Sequence, residues 1–212
     1  MRAVDYRQRA WNKLSGKWGT CAIIALIYEI ILGALGGLSY NTYGIADVAM
    51  MVLTGPFTLG LVTAGFNVSR NRELRVDNIF AGFNNFVSAL LLHLLNSVLV
   101  FLWSLLLIVP GIIKAISYSM SFMILHDNPN MDVNEARIES VKMMDGHKYE
   151  YFCLFCSFIG WFLLCILTLG ILTFWIAPYY QVAKTEFYEN IKNLKPVSDT
   201  IDSDSLIDTE NE

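Results

Sequence analysis

Two ionisable side chains stand alone in long apolar runs of this chain: Glu29 in "CAIIALIYEIILGALGGL" and Lys114 in "IVPGIIKAISYSM". Lys114 is the one Lys or Arg between Arg75 and Arg137. A charge in such surroundings is costly unless it meets a partner, water or a lipid headgroup, so each is a functional candidate. At helical spacing Lys114 shares a face with Ser117 and Ser121. A second polar run carries His93, Asn96, Ser97 and Ser104. Glu29 shares its face with Ala22, Ala25, Gly33 and Gly36, small residues of the kind that let helices approach closely, which points the carboxylate at protein rather than lipid. Glu29, Lys114, Ser117, Ser121, His93 and Asn96 therefore form the candidate intramembrane polar site. Lys114 sits about 5 Å, one helical turn, below a connection marked by Pro110 and Gly111. It either snorkels to headgroups or caps that turn, or it pairs with Glu29 or an anionic ligand. His93 reads as a hydrogen-bonding residue rather than a proton relay.

Other chemistry finds little support. Cys153 and Cys156 have redox or metal spacing, but they lie in "YFCLFCSFIGW" with neither a second Cys pair nor a paired His, so they read as buried packing residues. Cys21 and Cys165 also lie in apolar stretches, and no disulfide framework is implied. No metalloprotease, nucleophile-elbow or phosphate-loop motif occurs. The chain is read as a non-enzyme with no metal and no cofactor. Nucleic acid is not an expected partner, because the basic clusters flank apolar runs, where membrane topology explains them.

The elements that must position these residues are membrane helices. Hydrophobic residues make up 55% of the 212-residue chain and charged residues 16%, against about 25% charged in soluble domains. A bilayer core needs about 20 helical residues per crossing. No Asp, Glu, Lys or Arg occurs from Asn78 to Ile113 or from Tyr151 to Ala183, runs too long for one crossing, so each must be a helical hairpin. The breaks are assigned to Pro110 and Gly111 in the first and Gly170 in the second. Six spans result, at about 18–38, 47–69, 87–109, 111–126, 150–168 and 170–188. With both termini inside, fourteen of the fifteen basic residues fall on the cytoplasmic face; Lys114 is the exception. The first apolar segment reads as a span rather than a cleaved leader. Residues 1–190 then form one integral membrane domain, all-α and polytopic, and the acidic stretch 191–212 reads as a disordered cytoplasmic tail.

Three places pair a polar or amphipathic helix with a Gly-containing junction and an aromatic residue leading into a span: "AWNKLSGKW", "IFAGFNNF" and "VKMMDGHKY". They read as three copies of an interfacial helix plus hairpin. The helix in "MDVNEARIESVKMM" opens on Asp132 with Glu135 three residues later, a capping box. Its apolar stripe is Val133, Ala136, Val141 and Met144.

The segments "WSLLLIVPGIIKAISYSM", "ESVKMMDGHKYEYFCLFCSFIGWFLLCILTLGI" and "APYY", with "RAWNKLSGKWG" and "GPFTLGL", resemble a bacterial integral membrane family known as domain of unknown function 975. The likeness runs to about Tyr188. It implies a multi-span protein of the bacterial plasma membrane with no assigned activity. The expected function is binding of a lipid, small amphiphile or membrane protein partner in a polar-lined bundle. The alternative is a small transporter or channel subunit using Glu29 and Lys114.

Overall fold

A computed structural model describes residues 2–39 and 45–194; the expected tail lies almost wholly outside them. The described residues are helical and contain no strand. In chain order the helices are α1 (Ala3–Leu14), α2 (Trp18–Ser39), α3 (Ile45–Ser69), a 3-10 segment (Val76–Asn85), α4 (Phe86–Leu106), α5 (Ile108–Ser117), α6 (Ser121–Asp127), α7 (Val133–Met143), α8 (Lys148–Cys156), α9 (Ile159–Leu167) and α10 (Thr173–Leu194).

Among the described residues, five segments are long and apolar enough to cross a membrane: Trp18–Gly37, Ala46–Ser69, Val76–Leu106, Ile108–Asp127 and Lys148–Leu167. The last two are bent pairs, α5 with α6 and α8 with α9. The segment expected as a sixth span, 170–188, folds into α10 but is not among the five. Its apolar start gives way to Lys184, Glu186 and Glu189.

The apolar helices turn one face inward. On α2, Cys21, Ile24 and Ala25 are buried, whereas Ile23, Leu26 and Ile30 are exposed along the opposite side. Exposed apolar area peaks at the hairpin tips, where Leu107 is 63% and Leu169 94% exposed. An aqueous surface rarely tolerates contiguous patches of that kind.

The first hairpin breaks earlier than its sequence implies. Leu107 is the extended residue, with φ −159° and ψ 138°. Pro110 lies inside the first turn of α5, where its missing N–H has no helical partner to lose. Gly111 is buried against α4: a Cβ there would collide with Ser104 Oγ and approach Ser104 Cα to 2.9 Å. The pair thus starts a helix and seats it, and the turn precedes both. Lys114 is consequently six residues beyond the start of α5, about 9 Å from it. In the second hairpin Gly170 has φ +86° next to Leu169 at +53°, which is the turn itself.

The junctions before α2 and α8 share a device. Gly16 has φ +81° and Gly146 +80°, a conformation that disfavours side chains with a Cβ. Each reverses the chain between a short helix and a span. Asp132 caps α7 by accepting from the Asn134 N–H at 2.8 Å. The buried face of α7 is Val133, Ala136, Ser140 and Met143, with Met144 beyond its end. Ser140 thus takes the place in the stripe expected for Val141.

Candidate functional site

The six residues singled out by sequence do not converge. Ser117 Oγ donates to its own helix at Ile113 O, 2.8 Å away, and Ser121 Oγ donates to Tyr118 O at 2.8 Å. Both hydroxyls are spent within the chain's own turns and line no opening. Lys114 stacks its ammonium over the Trp103 ring, 5.1 Å from the centroid, a cation–π contact across the hairpin. It forms no ion pair with Glu29.

Glu29 lies elsewhere, at the edge of a cavity of about 250 Å³ between α2, α3, α9 and α10. The cavity runs from Cys21 to Glu29 along α2, about 12 Å by helical rise, and from Val68 to Leu61 along the antiparallel α3. Ala25, Ala64 and Phe162 give it an apolar wall, and Gln181 enters it from α10. The Gln181 Nε2 is buried without a hydrogen-bond partner. Glu29 borders this space but is itself exposed, whereas its small-residue face predicts a carboxylate turned toward protein; of that face only Ala25 is buried.

His93 and Asn96 line a different space, one turn further along α10. This groove of about 640 Å³ lies between α3, α4, the α5–α6 bend and α10. Its walls include Ser97, Tyr118, Ser119 and Lys184. In the sequence, Lys184 is marked only as one of the basic residues that set topology.

The bends that shape these walls are held by the short helices. Between α5 and α6 the backbone tightens, with Ser119 N donating to Ile116 O and Ser121 N to Tyr118 O. Met120 N–H and Ser117 C=O are left without helical partners, and Ser140 of α7 takes both. Its Oγ donates to Ser117 O at 2.7 Å and accepts from Met120 N at 3.2 Å. The bend between α8 and α9 is met in the same manner from α1: the Arg7 guanidinium donates to Ser157 O at 3.2 Å and lies over the Phe158 ring.

A charged latch ties the helices together at one end. Arg70, just after α3, donates to both Asp127 oxygens at 2.9 and 3.1 Å and to Glu189 at 2.7 Å. Lys192 and Tyr188 of α10 also donate to Asp127. Beside this cluster Lys13 of α1 pairs with the buried Glu186 at 2.8 Å, and Ser69 Oγ donates to the same carboxylate. Tyr6 of α1 is fully buried against Phe187 and accepts from Asn190 Nδ2 at 2.9 Å; burial pushes its phenol up to about 12. Basic residues of α1, of the segment after α3 and of α10 thus meet at this end.

No group of three or more His, Cys, Asp or Glu among the described residues could hold a metal ion. All four cysteines are free, Cys21 and Cys165 buried, Cys153 and Cys156 half-buried.

The chain matches the family described as Protein of unknown function (DUF975) over residues 1–118 and 105–195. No curated protein and no solved structure matches it. With nearly the whole chain matched, this protein belongs to that family, and its function must be argued from its own geometry.

Proposed function

We propose that this family member is a non-enzymatic protein of the bacterial plasma membrane that holds a lipid or small amphiphile within its helix bundle. The carrying observation is the elongated cavity beside Glu29. Its long wall is apolar, while Glu29 supplies a polar end and the unpartnered Gln181 amide stands midway, against Gly65. An apolar slot with a few placed polar groups is the ordinary form of a small-molecule site, and its slender shape fits an acyl or prenyl chain.

In this reading α10 completes a six-span bundle. Its apolar first half sits in the bilayer and its charged second half anchors the latch at the cytoplasmic face. Both termini lie on that side, where the basic clusters gather, as the positive-inside rule favours. The two glycine-hinged junctions and the two bends plugged by α1 and α7 support a repeated helix-plus-hairpin plan. A membrane protein partner fits the exposed apolar flanks.

The test is thermal unfolding of delipidated protein with lipid extract added back. A ligand of the folded state raises Tm with concentration. Ala64→Leu, which fills the slot, should abolish that shift while leaving the ligand-free Tm near wild type. An equal shift in the variant would remove the cavity from consideration. If substrate flux in proteoliposomes is instead lost on Glu29→Gln, the transporter reading takes its place.

A further inference from the structure

The groove lined by His93 and Asn96 carries a separate site. Lys184 projects into it, partly buried, and forms no ion pair or hydrogen bond among the described residues. The carboxylates nearby in sequence are committed elsewhere, Glu186 to Lys13 and Ser69, Glu189 to Arg70. An ammonium withdrawn from water without a counter-charge is costly, and such charges are ordinarily paired.

Two further groups in the groove lack partners. Asn96 carries a buried side-chain oxygen with no donor, and Ser119 carries a buried hydroxyl that lies beside the Tyr151 phenol without a well-formed hydrogen bond. His93 lies one helical turn before Asn96 on the same wall. Lys184, Asn96 and Ser119 thus line one groove from three different helical segments, and a rotation about χ1 or χ2 would turn either buried oxygen toward it. The three residues come from α10, α4 and the α5–α6 bend. An anion with no hydroxyl, such as chloride or sulfate, would satisfy Lys184 but not the Asn96 oxygen, which needs a donor. A phosphate ester bearing a hydroxyl would satisfy all three: its anionic oxygens toward Lys184 and Ser119, its hydroxyl toward Asn96. The groove continues past Val100 to the exposed Phe101, giving an attached apolar chain a route toward lipid.

We infer that this groove is a binding site for a hydroxylated phosphate ester, held by Lys184, Asn96 and Ser119. The chemistry is shared by an anionic lipid headgroup and by a free polyol phosphate, and the test separates them. The groove shares no lining residue with the cavity beside Glu29, so either site can fail without the other.

The full chain in detergent micelles would be titrated with phosphatidylglycerol, with phosphatidylcholine, and with glycerol phosphate as competitor. Bound lipid would be read by native mass spectrometry. Phosphatidylglycerol should bind in clear preference to phosphatidylcholine. Lys184→Gln should weaken it about tenfold or more, the order expected for losing a charge-assisted hydrogen bond. Lys184→Arg should restore much of the binding, and Asn96→Ala should reduce the preference independently. Ala64→Leu, in the other cavity, should leave it unchanged. If glycerol phosphate displaces the lipid with comparable affinity, the natural ligand is the soluble ester; if it does not compete, the ligand is the lipid. Equal retention of the two lipids, or an unaltered preference in a folded Lys184→Gln protein, would overturn the inference. Should Lys184→Gln fail to fold, the lipid preference and the Asn96→Ala variant decide it.

Discussion

Replacing Ser140 with alanine removes one hydroxyl from a helix outside the five apolar segments, yet its effect should reach into the bundle. The hydroxyl supplies a hydrogen-bond partner to both Met120 N–H and Ser117 C=O, groups that the bend between α5 and α6 has detached from their own helix. Ser140 is fully buried, so water does not readily take its place. Losing an ordinary hydrogen bond costs about 1 kcal/mol, but stranding a buried backbone group costs about 1–3 kcal/mol. Two stranded groups place the loss at about 2–6 kcal/mol for Ser140→Ala, reduced to the extent that the bend straightens and restores helical bonds. Unfolding can be followed with a thiol-reactive fluorophore, because Cys21 and Cys165 are buried and free and become reactive as the bundle opens. The half-buried Cys153 and Cys156 set the starting signal. Straightening would also rotate Tyr118 and Ser119 out of the groove, so lipid preference should fall with stability. A loss under about 0.5 kcal/mol with unchanged lipid binding would refute the role assigned to Ser140.

Other perturbations probe the latch, the hairpin and α1. Asp127→Ala removes the carboxylate shared by Arg70, Lys192 and Tyr188 while Arg70 keeps Glu189, and should cost about 1–3 kcal/mol in chemical or thermal unfolding. Gly111→Val forces a side chain into Ser104 of α4 and should destabilise by about 1–3 kcal/mol or more, whereas Pro110→Ala, at a position with no helical bond to lose, should have a far smaller effect. Because burial raises the Tyr6 phenol to about 12, the unfolded chain ionises first, near its ordinary value of about 10. The stabilisation is therefore complete below about pH 10 and lost as pH rises toward 12. Tyr6→Phe should flatten that alkaline limb of the stability profile, and an unchanged limb would show that Tyr6 does not control it.

The helical architecture was legible because uncharged runs and basic clusters obey bilayer length and charge rules. Local signals misled where a residue type serves two purposes. Pro110 and Gly111 look like a turn, but proline also suits the first turn of a helix and glycine also suits close packing, so the break fell at Leu107. The groove and latch were less legible, because they join residues far apart in the chain: Arg70 with Asp127, Ser69 with Glu186. Glu186 and Asp127 carried no local mark distinguishing them from solvated charges. Ser140 interrupts an apolar stripe, and only the bend opposite explains it. Lys184 fitted the topology rule so well that its position on α10 went unread. Ser117 and Ser121 show the converse, since a polar stripe at helical spacing can be satisfied entirely by its own backbone.

The most direct test of the central claim is native mass spectrometry of the protein extracted in mild detergent, with wild type beside Ala64→Leu and Glu29→Gln. The account predicts a defined amphiphile on wild type that is lost when Ala64→Leu fills the slot and weakened when Glu29→Gln alters its polar end. A folded wild-type protein carrying no such molecule, or one retained equally by both variants, would contradict it.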